Sequence, residues 1–149
     1  MATGTPMDGK SFLVQLGDGG SPSESFDHPC GLVTKGAAFS KAVGETLMPD
    51  CDDPDVVPFV KRTGSSKSMT ISGEGKVARE SLSAWREFFE QDESKNVRFV
   101  VPGTGAQGGG RWSGAFQLTS FSVTAVHGEH ADVSVELVND GTVTWTAAA

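Results

Sequence analysis

Apolar and polar residues alternate along much of this chain with the period of a β-strand. Ser11–Leu16 sets Phe12, Val14 and Leu16 on one face. Phe26–Leu32 has room for a short strand, and Ala38–Val43 and Glu45–Met48 read as strand segments. Ser68–Ser72 puts Met69 and Ile71 inward, and Asn96–Val101 ends at Pro102-Gly103. Ser113–Val126 carries Phe116 and Leu118, then Phe121, Val123 and Ala125, so its phase slips at Thr119-Ser120 and a β-bulge is expected there. Ala131–Leu137 alternates most regularly, with Val133, Val135 and Leu137 on one face and Asp132, Ser134 and Glu136 on the other. Asn139-Asp-Gly141 has the residue types of a hairpin turn, leading to a last strand over Thr142–Thr146. Gly128-Glu129 makes a further turn, and Thr104–Arg111, with Gly108-Gly-Gly110, reads as a mobile hairpin loop.

Two stretches break the alternation. Arg79–Gln91 has no Gly or Pro, and Leu82, Trp85 and Phe89 recur at helical spacing with Phe88 beside them. The spacing predicts an amphipathic helix anchored to a sheet by Leu82, Trp85, Phe88 and Phe89. Met48–Arg62 carries prolines at 49, 54 and 58, four aspartates and an apolar patch. Prolines donate no ladder bond, so this is no central strand. A connection that long inside a compact domain is functional or disordered, and pure disorder has no use for Val56, Val57, Phe59 and Val60. The expectation is an arm spanning residues 48–67, with Gly64–Lys67 as a second flexible stretch, that buries its apolar part on a neighbouring molecule; a loop folded back on its own domain is the alternative. Its named elements are Pro49, Asp50, Asp52, Asp53, Asp55, Val56, Val57, Phe59, Val60, Lys61 and Arg62.

The expected fold is mainly β (α+β): two packed antiparallel sheets, a β-sandwich or bent barrel, with one flanking α-helix and a long extended loop. At 149 residues the chain fits one domain, 1–149, after a flexible tail over residues 1–10.

Composition narrows the function. The net charge of −7 speaks against a surface that reads DNA through its phosphates, and leaves open one past which DNA slides. No apolar run approaches a membrane span. The first ten residues show no charged region followed by an apolar one, so folding in the cytoplasm is expected, with Cys30 and Cys51 as free thiols.

Catalytic and metal chemistry find little footing. His127 and His130 bracket a turn without a third ligand and read as solvated. The aspartates resemble a calcium loop, but its sixth and twelfth places hold Asp55 and Lys61 where Gly and Glu belong. The glycine run 103–110 lacks the Lys-Ser/Thr of a phosphate loop. Cys30 has only His28 near it and reads as a small, partly buried residue. No enzymatic activity, cofactor or metal is expected.

The order of elements resembles the major tail tube proteins of long-tailed, non-contractile bacteriophages and gene transfer agents. The resemblance rests on Phe39–Thr46 leading through the long loop to Ser68–Gly75, on the single helix followed by Val97–Pro102, and on Trp112–Phe121 followed by Ala131–Leu137 and Gly141–Thr144. It implies two packed sheets with a flanking helix, hexameric rings stacked into a tube, inner sheets joined around a lumen, and a long loop that reaches the adjacent ring. Its implied partners are copies of itself, the tape measure protein, and tail terminator and distal tail proteins, with DNA passing through the lumen unbound. The implied location is the virion tail, assembled in the host cytoplasm. Asp132, Ser134 and Glu136 are the candidate lumen-facing residues. The alternatives are the tube protein of a contractile tail or type VI secretion apparatus, and a secreted carbohydrate-binding β-sandwich using Trp112 and Trp145 as stacking platforms.

Overall fold

The computed structural model describes residues 4–7, 9–19 and 23–148. Most of the expected tail over residues 1–10 falls within or beside the undescribed positions, but Gly9–Ser11 forms a 3-10 turn. Eight strands follow, β1 (Leu13–Gly17), β2 (Phe26–Asp27), β3 (Leu32–Leu47), β4 (Val60–Lys76), β5 (Lys95–Val101), β6 (Gly110–Thr124), β7 (Asp132–Asn139) and β8 (Thr144–Ala147), with helix α1 (Arg79–Glu90) between β4 and β5.

All eight strands join one antiparallel sheet in the order β2-β1-β5-β6-β7-β4-β3, with β8 also paired to β6. The expected two sheets are therefore one, because β6 is long enough to serve both halves. Its first part pairs β5, its second part pairs β7, and the register shifts between Leu118 and Ser120, where the sequence places the bulge. A bulge bends and twists the strand that carries it, so the sheet rolls up at this point.

The roll is measurable. β1 and β3 lie five strands apart, roughly 24 Å in a flat sheet at ~4.8 Å per strand. Yet the Lys35 ammonium of β3 donates to the Phe12 carbonyl just before β1, at 2.5 Å. Phe39 of β3 meets Trp112 of β6 with ring centroids 5.0 Å apart. The bent-barrel expectation holds in this open, rolled form.

One core fills the roll. Val14, Leu16, Met69, Ile71, Val97, Phe99, Phe116, Leu118, Val133, Val135 and Leu137 come from the sheet, and Trp85 and Phe88 from α1. The strand alternation read from the sequence selects these residues correctly. On the helix it does not. The buried stripe is Ser81, Trp85 and Phe88, while Phe89 is 53% exposed and Leu82 is exposed beside it. Of the four expected anchors Trp85 and Phe88 are buried, Leu82 and Phe89 are not, and Ser81 joins the stripe instead. Spacings of three and four both continue a helical face, and only the docking angle on the sheet decides which one is buried. Phe89→Ala is accordingly expected to change the melting temperature of the unassembled chain by no more than a degree or two, a surface-substitution effect of about 0.5 kcal/mol.

Three local expectations also change. Asn139-Asp-Gly141 does not turn the chain back. β7 and β8 both run antiparallel along the same side of β6, Asn139 opposite Phe116 and Thr144 opposite Ser113, so they form one strand line interrupted at residues 140–143. The Asp140 N–H reaches the Ala115 carbonyl at 2.7 Å and keeps that line attached. The Thr104–Arg111 loop is ordered by a 3-10 turn at Gly105–Gln107 in which Thr104 and Gln107 cap each other, and β6 already begins at Gly110. Cys30 is exposed rather than partly buried, as is Cys51.

Gly75 explains how β3 can start where it does. A Cβ there would collide with the Gly31 carbonyl and the backbone of Leu32 and Val33. Gly75→Ala should destabilise the chain by about 1–3 kcal/mol through overpacking, read as a lower melting temperature of the unassembled chain.

Candidate functional site

β3 and β4 pair without a break in the ladder from Leu32↔Gly75 to Leu47↔Val60, apart from bulges at Val33 and Ser65. Only the inner part of this ladder lies on the body. β7 covers the other edge of β4 from Thr70 to Lys76, and no strand covers Val60–Met69 on that side among the described residues. Beyond Phe39 and Met69 the two strands leave the core as a free hairpin. Eight more residues, Ser40 to Leu47, carry it roughly 26 Å at ~3.3 Å per residue.

The arm is therefore longer and more regular than its sequence indicates. Gly64–Lys67, read as flexible, is strand: Lys67 pairs Lys41, Ser66 pairs Ala42 and Gly64 pairs Val43. Val60, Lys61 and Arg62, read as loop, are likewise the first residues of β4. What remains as loop is Met48–Phe59, kept out of the ladder by Pro49, Pro54 and Pro58. The aspartates shape this tip. One carboxylate oxygen of Asp50 accepts the N–H groups of Asp52 and Asp53 at 2.8 and 3.1 Å, and Asp53 accepts that of Asp55 at 3.3 Å. These are Asx turns, which fold a short loop without a core.

The hairpin has two unlike faces. Ala37 and Phe39 lie opposite Ile71 and Met69, which are core residues. Alternation carries that face outward through Lys41, Val43, Glu45 and Leu47, with Val60 opposite Leu47 and Arg62 bound to Glu45 at 3.3 Å. The other face carries only Ala38, Ser40, Ala42, Gly44 and Thr46 on β3. The core-side face thus continues past the core with nothing to cover it. Phe39, Val43, Leu47, Met48, Val56 and Val60 are exposed, and Val57 and Phe59 at the tip are 85% and 91% exposed. Isolated two-stranded hairpins are marginal in water, and an apolar patch of this extent marks an interaction surface.

The second candidate surface is the polar face of β7. Val133, Val135 and Leu137 point into the core, so Asp132, Ser134 and Glu136 lie on the outside of the sheet. Their neighbours on β4 are Lys76, Glu74 and Ser72, and on β6 Thr124, Ser122 and Ser120. Asp132 is held by the Lys76 ammonium at 2.6 Å, a pairing that lifts the lysine above its ordinary range by hydrogen bond first and charge second. Beside that pair, Glu74 and Glu136 stand among the hydroxyls of Ser72, Ser120, Ser122, Thr124 and Ser134. Arg98 of β5 and Arg111 of β6 lie near each other on neighbouring strands. There burial, then Arg111, lowers the Arg98 guanidinium, and Arg98 packs over the Phe26 ring.

Of the two tryptophans offered as sugar platforms, Trp145 is 41% exposed and Trp112 is half-buried beside it. Trp112 packs on Trp145 at 4.5 Å and on Phe39 at 5.0 Å, and it joins the margin of the core. Among the described residues no three His, Cys, Asp or Glu side chains come together as a metal set, and no helix is long and apolar enough to cross a membrane.

The fold has close counterparts. It superposes on the tail of an empty gene transfer agent particle, refined with C6 helical symmetry, at a TM-score of 0.79 and 20% identity, covering 95% of this chain and all of that one. On the SPP1 tail tube the TM-score is 0.64 at 11% identity, covering 95% and 80%. On the tube-terminating cap of the anti-feeding prophage it is 0.62 at 16% identity, covering 99% and 95%. No curated protein matches by sequence. The sequence model of one family, described as phage tail tube protein, matches residues 6–145. With nearly the whole chain matched, and the fold shared with tubes of two tails, this chain belongs to the phage tail tube protein family and is a structural subunit of a tail tube.

Proposed function

We propose that the chain assembles into six-membered rings stacked as a hollow conduit, and that the β3–β4 hairpin is the arm that locks one ring to the next. The hairpin carries this reading, because its apolar face runs past the core and needs a second molecule to cover it. A gene transfer agent tail of the same fold has C6 symmetry, which supports six as the ring number. Unpaired edges of β3 and of outer β4 are a liability in a monomer and a joint in a polymer. The chain acts without cofactor, metal or bond chemistry of its own. Copies of itself are its main partners, with a tape measure protein inside during assembly and terminator and distal tail proteins at the ends. It assembles in the host cytoplasm and functions in the virion tail of a non-contractile particle.

In this arrangement the polar face of β7 lines the lumen. Hydroxyls with Glu74 and Glu136 among them give DNA no cationic hold, and repeated around a ring they repel phosphate. Asp132→Lys with Glu136→Lys should leave tubes that form but deliver DNA slowly or not at all. Normal delivery by well-formed tails carrying both changes would place that face elsewhere. Assembly itself is tested by negative-stain microscopy of the purified chain. Rings or tubes are the expected result, and a monomer at every concentration and with every tail partner would overturn the reading.

A further inference from the structure

We propose that Arg98 and Arg111 form a binding site for a tetrahedral oxyanion, a free phosphate or the phosphate group of a monoester, on the outer face of the sheet where β1, β5, β6 and β8 lie side by side. This site is independent of the tube reading and of the hairpin.

Alternation builds it. Val97 and Phe99 point into the core, so Arg98 between them faces outward. Trp112 packs at the core margin, so Arg111 and Ser113 on either side of it face outward too. The register sets Arg98 opposite Gln15 and Ser113, and Arg111 opposite Val100 and Thr146. The two arginines are thus diagonal neighbours on paired strands, with Cβ atoms roughly 7 Å apart. Both line an open groove of about 550 Å³, together with Gln15, Glu24, Phe26 and Thr146.

Two like charges at this spacing repel unless a negative group stands between them. The ion pairs among the described residues are Glu45–Arg62 and Lys76–Asp132, and neither groove arginine belongs to one. Glu24 lines the groove but is engaged elsewhere. One of its oxygens accepts the Gly19 N–H at 2.7 Å and the other the Asn96 side-chain amide at 2.8 Å. Burial first and Arg111 second lower the Arg98 guanidinium, and Glu24 only partly offsets them. Arg98 is nevertheless fixed in place, its guanidinium 3.6 Å from the centroid of the Phe26 ring. Stacking of this kind sets the plane of the fork before an anion arrives. Guanidinium forks match phosphate oxygens. Two of them, with the Thr146 hydroxyl and the Gln15 amide, offer more donors than the two oxygens of a carboxylate can use. The groove is also larger than a phosphate, which leaves room for the organic part of a monoester.

Titration calorimetry and melting curves of the whole chain test the site, in phosphate-free buffer at fixed ionic strength. The probes are inorganic phosphate, uridine monophosphate and acetate. Saturable binding is expected, with a rise in melting temperature of roughly 3–6 °C at ten-fold excess over Kd. Saturation by phosphate makes the free anion sufficient, and saturation by the monophosphate alone assigns the site to a monoester. Arg111→Gln should bind at least ten-fold more weakly. Because it removes a repulsion, it should also melt no lower than the original chain when phosphate is absent. Arg98→Lys, which keeps the charge and loses the fork, should weaken binding as well. Three results overturn the proposal: binding of neither phosphate probe, acetate bound as tightly as phosphate, or a rise that does not saturate and persists in Arg111→Gln, which is the general effect of phosphate on protein hydration. A phosphate-free Arg111→Gln chain melting several degrees lower would overturn it too, by making the arginine a structural support.

Discussion

Replacing Val43–Ser65 with Asn-Gly should yield a chain that folds, melts within a few degrees of the original and forms no tubes. Ala42 and Ser66 are opposite each other in the ladder, so a two-residue turn closes the shortened hairpin in register, and Asn-Gly is the preferred sequence for such a turn. Everything removed except the half-buried Pro58 is exposed, and none of it belongs to the core. The body therefore loses little stability. Assembly loses the outer part of the extension, Val43–Leu47 with Val60–Ser65, and the tip, whose Val57 and Phe59 alone would each contribute roughly 1.5–3 kcal/mol when buried on a neighbour. In a tube that contact recurs for every subunit, so its loss is expected to abolish stacking rather than shorten it. Circular dichroism and melting report on the fold, and electron microscopy on the tubes. Long tubes from the shortened chain would show that the hairpin is not the stacking element. Loss of folding would show that it belongs to the body.

Trp85→Ala is expected to have the largest effect on stability of any single helix substitution, about 3–5 kcal/mol, or roughly 6–20 °C in melting temperature for a domain of this size. Trp85 is 1% exposed, lies at the centre of the buried stripe of α1, and packs with Phe88 into the sheet core. The third buried residue of the helix is Ser81, whose hydroxyl donates to the Cys30 carbonyl at 2.9 Å. The indole N–H of Trp85 has no acceptor among the described residues, so packing, not a hydrogen bond, holds it. Trp85→Phe should then retain most of the stability, since it keeps most of the buried ring. An alanine variant with an unchanged melting temperature but no assembly would place Trp85 at a contact between subunits instead.

The sequence by itself determined the strands that face a core. Period-two alternation is a local signal, and Val14, Leu16, Met69, Ile71, Phe116, Leu118, Val133, Val135 and Leu137 all lie where it puts them. The bulge in β6 was equally legible, because one extra residue must shift the phase of everything after it. Pro49, Pro54 and Pro58 marked the tip for the same reason: a missing N–H is a property of the residue, not of its surroundings.

Tertiary structure decided the rest. Whether Phe88 or Phe89 anchors α1 depends on the angle at which the helix meets the sheet, and both satisfy the helical period. Gly64-Ser-Ser-Lys67 has the composition of a flexible link and is strand only because Lys41, Ala42 and Val43 lie across from it. Asn139-Asp-Gly141 has the residue types of a hairpin turn, but β6 runs past it and holds both flanking strands in one line. The single rolled sheet follows from β6 being shared by two halves, which no local pattern reveals. The extent of the arm follows in turn. Alternation names the apolar residues of β3, and only the point where the core stops determines which of them are left for another molecule to cover.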